Sequence, residues 1–210
     1  YSINSLTAEI TGKPVTISGS RLYDSTTTAS SSILTITSGV SGESLSLTGS
    51  GVLGAASAGT QTITNNNTLA IADGSGGLAS NYTLSGATIN VTIIPRTLNV
   101  SLSREYDGTT SVSGVSLTPT FDSLQGGETL ALSGTGSVST ANVGSSKAVS
   151  LGSIALAAGS GNPSNYTLNS ATMNITQRVI NLDGIRAYDA TTNVLSSDIN
   201  TFGNIVSGET

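Results

Sequence analysis

"SNYTLSGATINVT" at residues 80–92 returns as "SNYTLNSATMNIT" at residues 164–176, an offset of 84 positions. Both copies alternate apolar with polar residues, which is the period-two pattern of a strand with one buried face. A long strand spelled twice at a fixed offset decides two things together. The chain is built of repeats, and the repeats are built of strands.

Working outward, other segments recur in the same frame. "SGESLSLTGSGV" (residues 41–52) returns as "GGETLALSGTGSV" (126–138), and "VSGET" (206–210) begins it a third time. "RLYDSTT" (21–27), "REYDGTT" (104–110) and "RAYDATT" (186–192) place Tyr23, Tyr106 and Tyr188 83 and 82 positions apart. The opening "YSINSLTAEITGK" matches "YTLNSATMNITQR" (166–178). Residues 1–12 therefore read as the end of a preceding repeat, 13–95 and 96–177 as complete repeats, and 178–210 as the start of a further one. A period of about 82–84 residues exceeds a solenoid coil and suits a small self-contained domain.

Within a period, "TLNVSLS" (97–103), "ETLALSGTG" (128–136) and "KAVSLGSIAL" (147–156) also alternate, with Gly, Ser and Asn clusters between them. That spacing predicts an all-β fold of small β-sandwich modules, Ig-like or β-grasp-like. The stretch "NITQRVINLDG" (174–184) runs from one repeat into the next without a Pro/Gly-rich linker, which predicts a stiff rod.

Composition narrows the chemistry. The 210 residues include no Cys, His or Trp, and only 9% are charged. Without Cys or His, disulfides, thiolate zinc sites, a Ser-His-Asp triad and a Cys-His dyad are all excluded. A net charge of −5 argues against nucleic acid, which requires a basic footprint. No apolar run approaches the roughly 20 residues of a membrane helix. No cofactor is expected.

The motif residues Arg21, Tyr23, Asp24, Arg104, Tyr106, Asp107, Arg186, Tyr188 and Asp189 read as a structural joint. The aspartate would accept backbone N–H groups in an Asx-turn, and the tyrosine would cap the core with its hydroxyl at the rim. The residue after the aspartate is Ser25, Gly108 or Ala190. Alanine is strained at positive φ, so the turn is expected not to need a left-handed residue there.

Other residue patterns bear on chemistry. Asp24/Glu43, Asp107/Glu128 and Asp189/Glu209 recur as carboxylate pairs, which suit calcium or glycoside hydrolysis. Calcium at Asp24, Glu43, Asp107 and Glu128 is the weaker alternative; surface ion pairs with Arg21, Arg104 and Arg186 are the expected fate. Hydrolysis would need sugar-stacking aromatics, and aromatic residues are 4%. A Lys–Asn cross-link fails because Lys13 is replaced by Arg96 and Arg178. Asn66, Asn81, Asn90, Asn99, Asn165 and Asn174 lie in N-x-[ST] sequons.

A "YDG" turn after an opening strand and a "GGE" turn into a second lead to "ANVGSSKAV" (141–149) and a closing "GNPSNYTL" (161–168). Together these resemble the YDG-type tandem repeats of bacterial filamentous-haemagglutinin-like adhesins, exoproteins of Gram-negative bacteria many of which leave by two-partner secretion. The resemblance covers essentially the whole chain and is looser at "VLGAASAGTQTI" (52–63). It implies a non-enzymatic, extracellular or cell-surface adhesin segment whose partners are neighbouring repeats of the same chain. The alternative is a module that itself binds a polysaccharide or cell-surface protein.

Overall fold

The computed structural model describes residues 7–209. The opening segment read as the end of a preceding repeat lies partly outside them, in residues 1–6, as does Thr210. The described residues contain strands and short 3₁₀ turns but no α-helix, and none of their helices is long and apolar enough to cross a membrane. The chain is all-β, with several sheets in sandwich-like modules, as the alternation predicts.

Two compact units divide it. The first spans Tyr1–Arg96 and is completed by two short segments, Gln125–Glu128 and Pro163–Thr167. Its strands are β1 (Lys13–Leu22), β2 (Thr28–Ser30), β3 (Leu34–Thr37), β4 (Leu45–Thr48), β5 (Ser50–Leu53), β6 (Gly59–Gln61), β7 (Ile63–Asn65), β8 (Ala70–Asp73) and β9 (Tyr82–Ile94).

The opening and closing strands meet. β1 pairs parallel with β9 and antiparallel with β3, and β6 adds to the far edge of β9, giving the order β3–β1–β9–β6. Alternation along β1 buries Val15 and Ile17 and leaves Thr16 and Ser18 in solvent. Leu34 and Ile36 of β3, beside β1 in the same sheet, and Leu45, Leu47 and Ile71 pack against that buried pair and Tyr82, so the separate β4–β8 pair supplies the other side of the core. Fully burying an aliphatic side chain, as at Val15 and Ile17, stabilises the unit by about 1.5–3 kcal/mol.

One glycine switches the chain between sheets. β4 pairs with β8, whereas β5 pairs with β2 and β7. Between β4 and β5 stands Gly49, at φ 75°, where an added Cβ would lie 2.0 Å from the carbonyl oxygen of Thr68. Only glycine fits such an approach.

The second unit comprises Thr97–Leu124, Thr129–Asn162 and Leu168–Thr210. Its strands are β10 (Arg96–Glu105, whose first residue belongs to the first unit), β11 (Ser111–Ser113), β12 (Thr120–Phe121), β13 (Leu130–Ser133), β14 (Thr135–Val138), β15 (Gly144–Ser150), β16 (Ala155–Ala158), β17 (Tyr166–Thr176), β18 (Asn181–Gly184) and β19 (Ile199–Gly203). The main sheet runs β11–β14–β15–β17–β10–β12, and β13 pairs separately with β16. Val100 and Leu102 of β10, Val112, Leu132, Val138, Ile154, Met173 and Ile175 form its core.

Two stretches expected as single strands are each broken by glycine. Residues 128–136 turn at Gly134, the counterpart of Gly49, at φ 76°. Residues 147–156 turn at Gly152, at φ 55°, between β15 and β16. Between the repeats, Pro95 alone separates β9 from β10, whereas residues 177–180 lie outside strands between β17 and β18. Proline lacks an N–H and ends the ladder locally. The β18–β19 pair stands alone and leaves Leu182 and Phe202 more than half exposed.

Candidate functional site

The Arg-x-Tyr-Asp motif begins where an opening strand ends. In all three copies the aspartate Oδ1 accepts the backbone N–H and the hydroxyl of the threonine two residues on. The distances are 2.9 and 2.8 Å for Asp24–Thr26, 3.0 and 3.0 Å for Asp107–Thr109, and 3.0 and 2.9 Å for Asp189–Thr191. This is the Asx-turn that the sequence predicts.

The arginine three residues earlier locks the turn. Arg104 Nη1 lies 2.9 Å from Asp107 Oδ2 and donates to the carbonyl of Ser111 at 2.6 Å. Arg186 Nη1 lies 2.6 Å from Asp189 Oδ1. Arg21 pairs with Asp24 and donates to the carbonyl of Thr26 at 2.5 Å. Burial raises the carboxyl pKa of Asp24 and Asp107, but the threonine donors and the guanidinium outweigh it and hold both below the ordinary value. Asp189 is lowered chiefly by the Thr191 amide.

The residue after the aspartate corrects the sequence expectation. Ser25, Gly108 and Ala190 all have positive φ, at 62°, 74° and 61°. The turn does require a left-handed residue. Placing two threonine donors on the aspartate forces that backbone, and the arginine-locked network holds serine and alanine there despite a penalty of roughly 1–2 kcal/mol.

The tyrosines make long-range contacts. Tyr23 is 3% exposed, and its hydroxyl donates to Glu128 Oε1 at 2.6 Å. Tyr166 donates to the other oxygen, Glu128 Oε2, at 2.5 Å. The two rings meet edge to face, with centroids 5.3 Å apart and planes at 77°. Arg96 Nε donates to the Tyr23 carbonyl at 2.9 Å. Asn165, buried beside Tyr166, accepts the N–H of Ala58 at 2.9 Å. All of these residues lie within the first unit.

The second unit repeats part of the pattern, since Tyr106 donates to Glu209 and the Arg178 guanidinium reaches the Tyr106 carbonyl at 3.3 Å. Burial and the Glu128 carboxylate push the Tyr23 phenol up to about 12. The bond to Glu209 raises Tyr106, and the bond to Glu43 raises Tyr82. Burial raises Tyr166. These phenols therefore stay protonated as donors at neutral pH.

The expected fate of the carboxylates is half corrected. The aspartates pair with arginine, but Glu43, Glu128 and Glu209 bond to tyrosines instead. A phenol supplies a donor without a second charge to desolvate, which suits a half-buried site. Aspartate and glutamate of a pair thus serve different partners. Among the described residues no group of three or more carboxylates could hold a metal ion.

Tyr188 is 93% exposed although the Arg186–Asp189–Thr191 turn beneath it is formed. The turn therefore folds without its tyrosine being seated. Lys147 bonds to the Thr140 hydroxyl and the Asn142 carbonyl, both at 2.7 Å. Of the sequons, Asn165 is only 4% exposed, and Asn174 accepts the N–H of Ser146. Burial leaves no room for a glycan on Asn165 in the folded chain.

Sequence reading missed Tyr166, Asn165, Arg96 and Arg178 as partners of the motif and of its glutamate, and Tyr82 as the partner of Glu43. The repeated "SNYTL" and the arginines at equivalent places were the available signal.

A family model described as the YDG domain matches the chain twice, over residues 7–91 and 90–173. No curated protein and no solved structure matches.

Proposed function

We propose that this chain, which belongs to the YDG domain family, is a non-enzymatic stalk segment of a large bacterial surface or secreted adhesin of the filamentous-haemagglutinin-like kind. It works outside the cell, spacing an adhesive tip for cell-surface, biofilm or host attachment. The observation that carries this reading is the destination of the motif. Tyr23, in one sequence repeat, spends its hydroxyl on Glu128, in the next. The arginine and aspartate of the motif are consumed in locking their own turn and its tyrosine in reaching the glutamate of the next repeat, so these groups are engaged within the chain rather than offered to a ligand or substrate. The stiff rod expected from the short junctions belongs to this proposal, and small-angle scattering tests it.

A glycan array and a cell-binding assay with the isolated chain test the stalk reading itself. A stalk binds neither glycan nor cell. Saturable binding to one glycan class would replace the stalk with a module that recognises a polysaccharide directly.

A further inference from the structure

The chain enters and leaves the first repeat on adjacent, parallel strands. β1 opens the repeat at Lys13 and β9 closes it at Ile94, and residues 16–22 run in unbroken register with residues 88–94. Lys13 stands beside Tyr82, at the start of β9, whereas Leu22 stands beside Ile94, at its end. The points where the polypeptide enters and leaves therefore lie at opposite ends of one strand pair. The pairing extends past Leu22, since the Tyr23 N–H donates to the Ile94 carbonyl and Arg96 Nε to the Tyr23 carbonyl, both at 2.9 Å.

Tension along the polypeptide draws Lys13 backward along β1 and Ile94 forward along β9. The strands must then slide past one another, which strains the evenly spaced bonds of a parallel ladder all together. Strands pulled apart from one end instead lose their bonds one after another. Sliding also disturbs the core, because Ile17, Val91 and Ile93 are fully buried and a one-residue slip turns an apolar face to solvent. β3 and β6 flank the pair on its two sides, so neither strand can peel away as a free edge.

The second repeat keeps the arrangement. β10 and β17 are neighbours in its main sheet. Their C-terminal ends meet where Tyr106 donates its N–H to the Thr176 carbonyl at 2.9 Å. Only Pro95 lies between β9 and β10, so tension leaving one pair enters the next without crossing a loop.

We propose that the parallel pair of opening and closing strands is a mechanical clamp, and that resisting tension along the chain is a function of the repeat. The inference rests on the stalk reading for the source of that tension; the clamp itself belongs to the repeat. Forced unfolding is governed by the barrier to unfolding rather than by equilibrium stability. A repeat of ordinary stability therefore holds under tension when its strands must slide.

Single-molecule force spectroscopy on the full chain tests this by changing only the direction of pull. The chain has no cysteine, so introduced cysteines are unique attachment points for the handles. Lys13→Cys with Ile94→Cys loads the pair in shear. Thr27→Cys with Ile94→Cys pulls from one end, because Thr27 follows the turn beyond Leu22. All three positions are exposed, and circular dichroism with thermal melting checks that both variants fold. The shear variant should hold to a force several-fold higher than the other. Its rupture should release roughly 250 Å of chain, the extended length of the repeat less its folded span. Pulling the unsubstituted chain by its two ends loads the repeat in the same direction and should show that release at a comparable force. Equal rupture forces in the two directions, or a lower one in shear, overturn the proposal. A chain that holds in shear yet binds a glycan defeats the stalk reading alone. One that yields equally in both directions and binds no glycan defeats the clamp alone.

Discussion

The Tyr23 hydroxyl and Glu128 Oε1 lie 2.6 Å apart although 105 positions separate the residues. Glu128 also accepts from Tyr166, so two neutral donors hold one half-buried carboxylate. Tyr23→Phe removes one of those donors and leaves the other. It should destabilise the first unit by about 1.5–3 kcal/mol, the usual worth of a hydrogen bond to a charged group. Tyr23→Ala also removes a ring that is 3% exposed and should cost about 3–5 kcal/mol. Urea denaturation of both variants checks the order; equal midpoints for wild type and Tyr23→Phe would show that the bond contributes nothing.

Gly108→Ala should destabilise rather than act silently. Gly108 sits at φ 74°, and an added Cβ would lie 2.8 Å from Val206 Cγ1. The left-handed backbone alone costs an alanine roughly 1–2 kcal/mol, and the clash adds to it. Ala190→Gly, at φ 61°, should do the reverse and steady its turn by about 1 kcal/mol. Hydrogen exchange at the Thr109 and Thr191 amides, both bonded to the turn aspartates, reads each effect locally. Unchanged exchange in both variants would mean that the turn tolerates either residue.

Stability should decline at high pH through the tyrosines. The Tyr23 phenol titrates near 10 when unfolded and is pushed up to about 12 in the folded unit. A raised folded value means that the contribution is fully present below about pH 10. It is lost as pH rises through about 12, because the unfolded chain releases its proton first. The thermal midpoint should therefore fall between pH 10 and 12, less steeply in Tyr23→Phe. A parallel decline in that variant would assign the effect to the other raised phenols.

Calcium should leave the thermal midpoint unmoved, as should EDTA. Glu43 and Glu128 are bonded to tyrosines, while Asp24 and Asp107 are locked by arginine and threonine. Differential scanning calorimetry with each additive is sufficient. A rise of several degrees with calcium would show that the ion competes successfully for these carboxylates and binds the folded form.

The strands were legible because their alternation is strict. Leu98, Val100 and Leu102 of β10 are all buried, with polar residues between them. The Asx-turn was legible for the same local reason, since Asp107 and Thr109 are two positions apart. The left-handed residue was misread because Ala190 argues against it by intrinsic preference, and only the arginine-locked network overrides that preference. The fate of Glu128 was hidden for another reason. Its partners Tyr23 and Tyr166 lie 105 and 38 positions away, and no period in the sequence says which repeated tyrosine meets which repeated glutamate.

The junction after β17 gives a final prediction. Tyr106 donates its N–H to the Thr176 carbonyl at 2.9 Å, and Arg178 returns to the Tyr106 carbonyl at 3.3 Å. Arg178 also grips Asn204, its Nε lying 2.7 Å from the Asn204 carbonyl oxygen. One arginine thus ties the end of β10 to the segment that carries Glu209. A Gly-Ser linker inserted after Thr176 would keep the Thr176 bond but let Arg178 drift from Tyr106. Tyr106 would then lose its hold on Glu209, and the thermal midpoint of the second unit should fall while that of the first stays in place. Arg178→Ala should reproduce the loss without any insertion. If the linker leaves the second unit's midpoint unchanged, the tyrosine–glutamate bond contributes no cooperation across the junction.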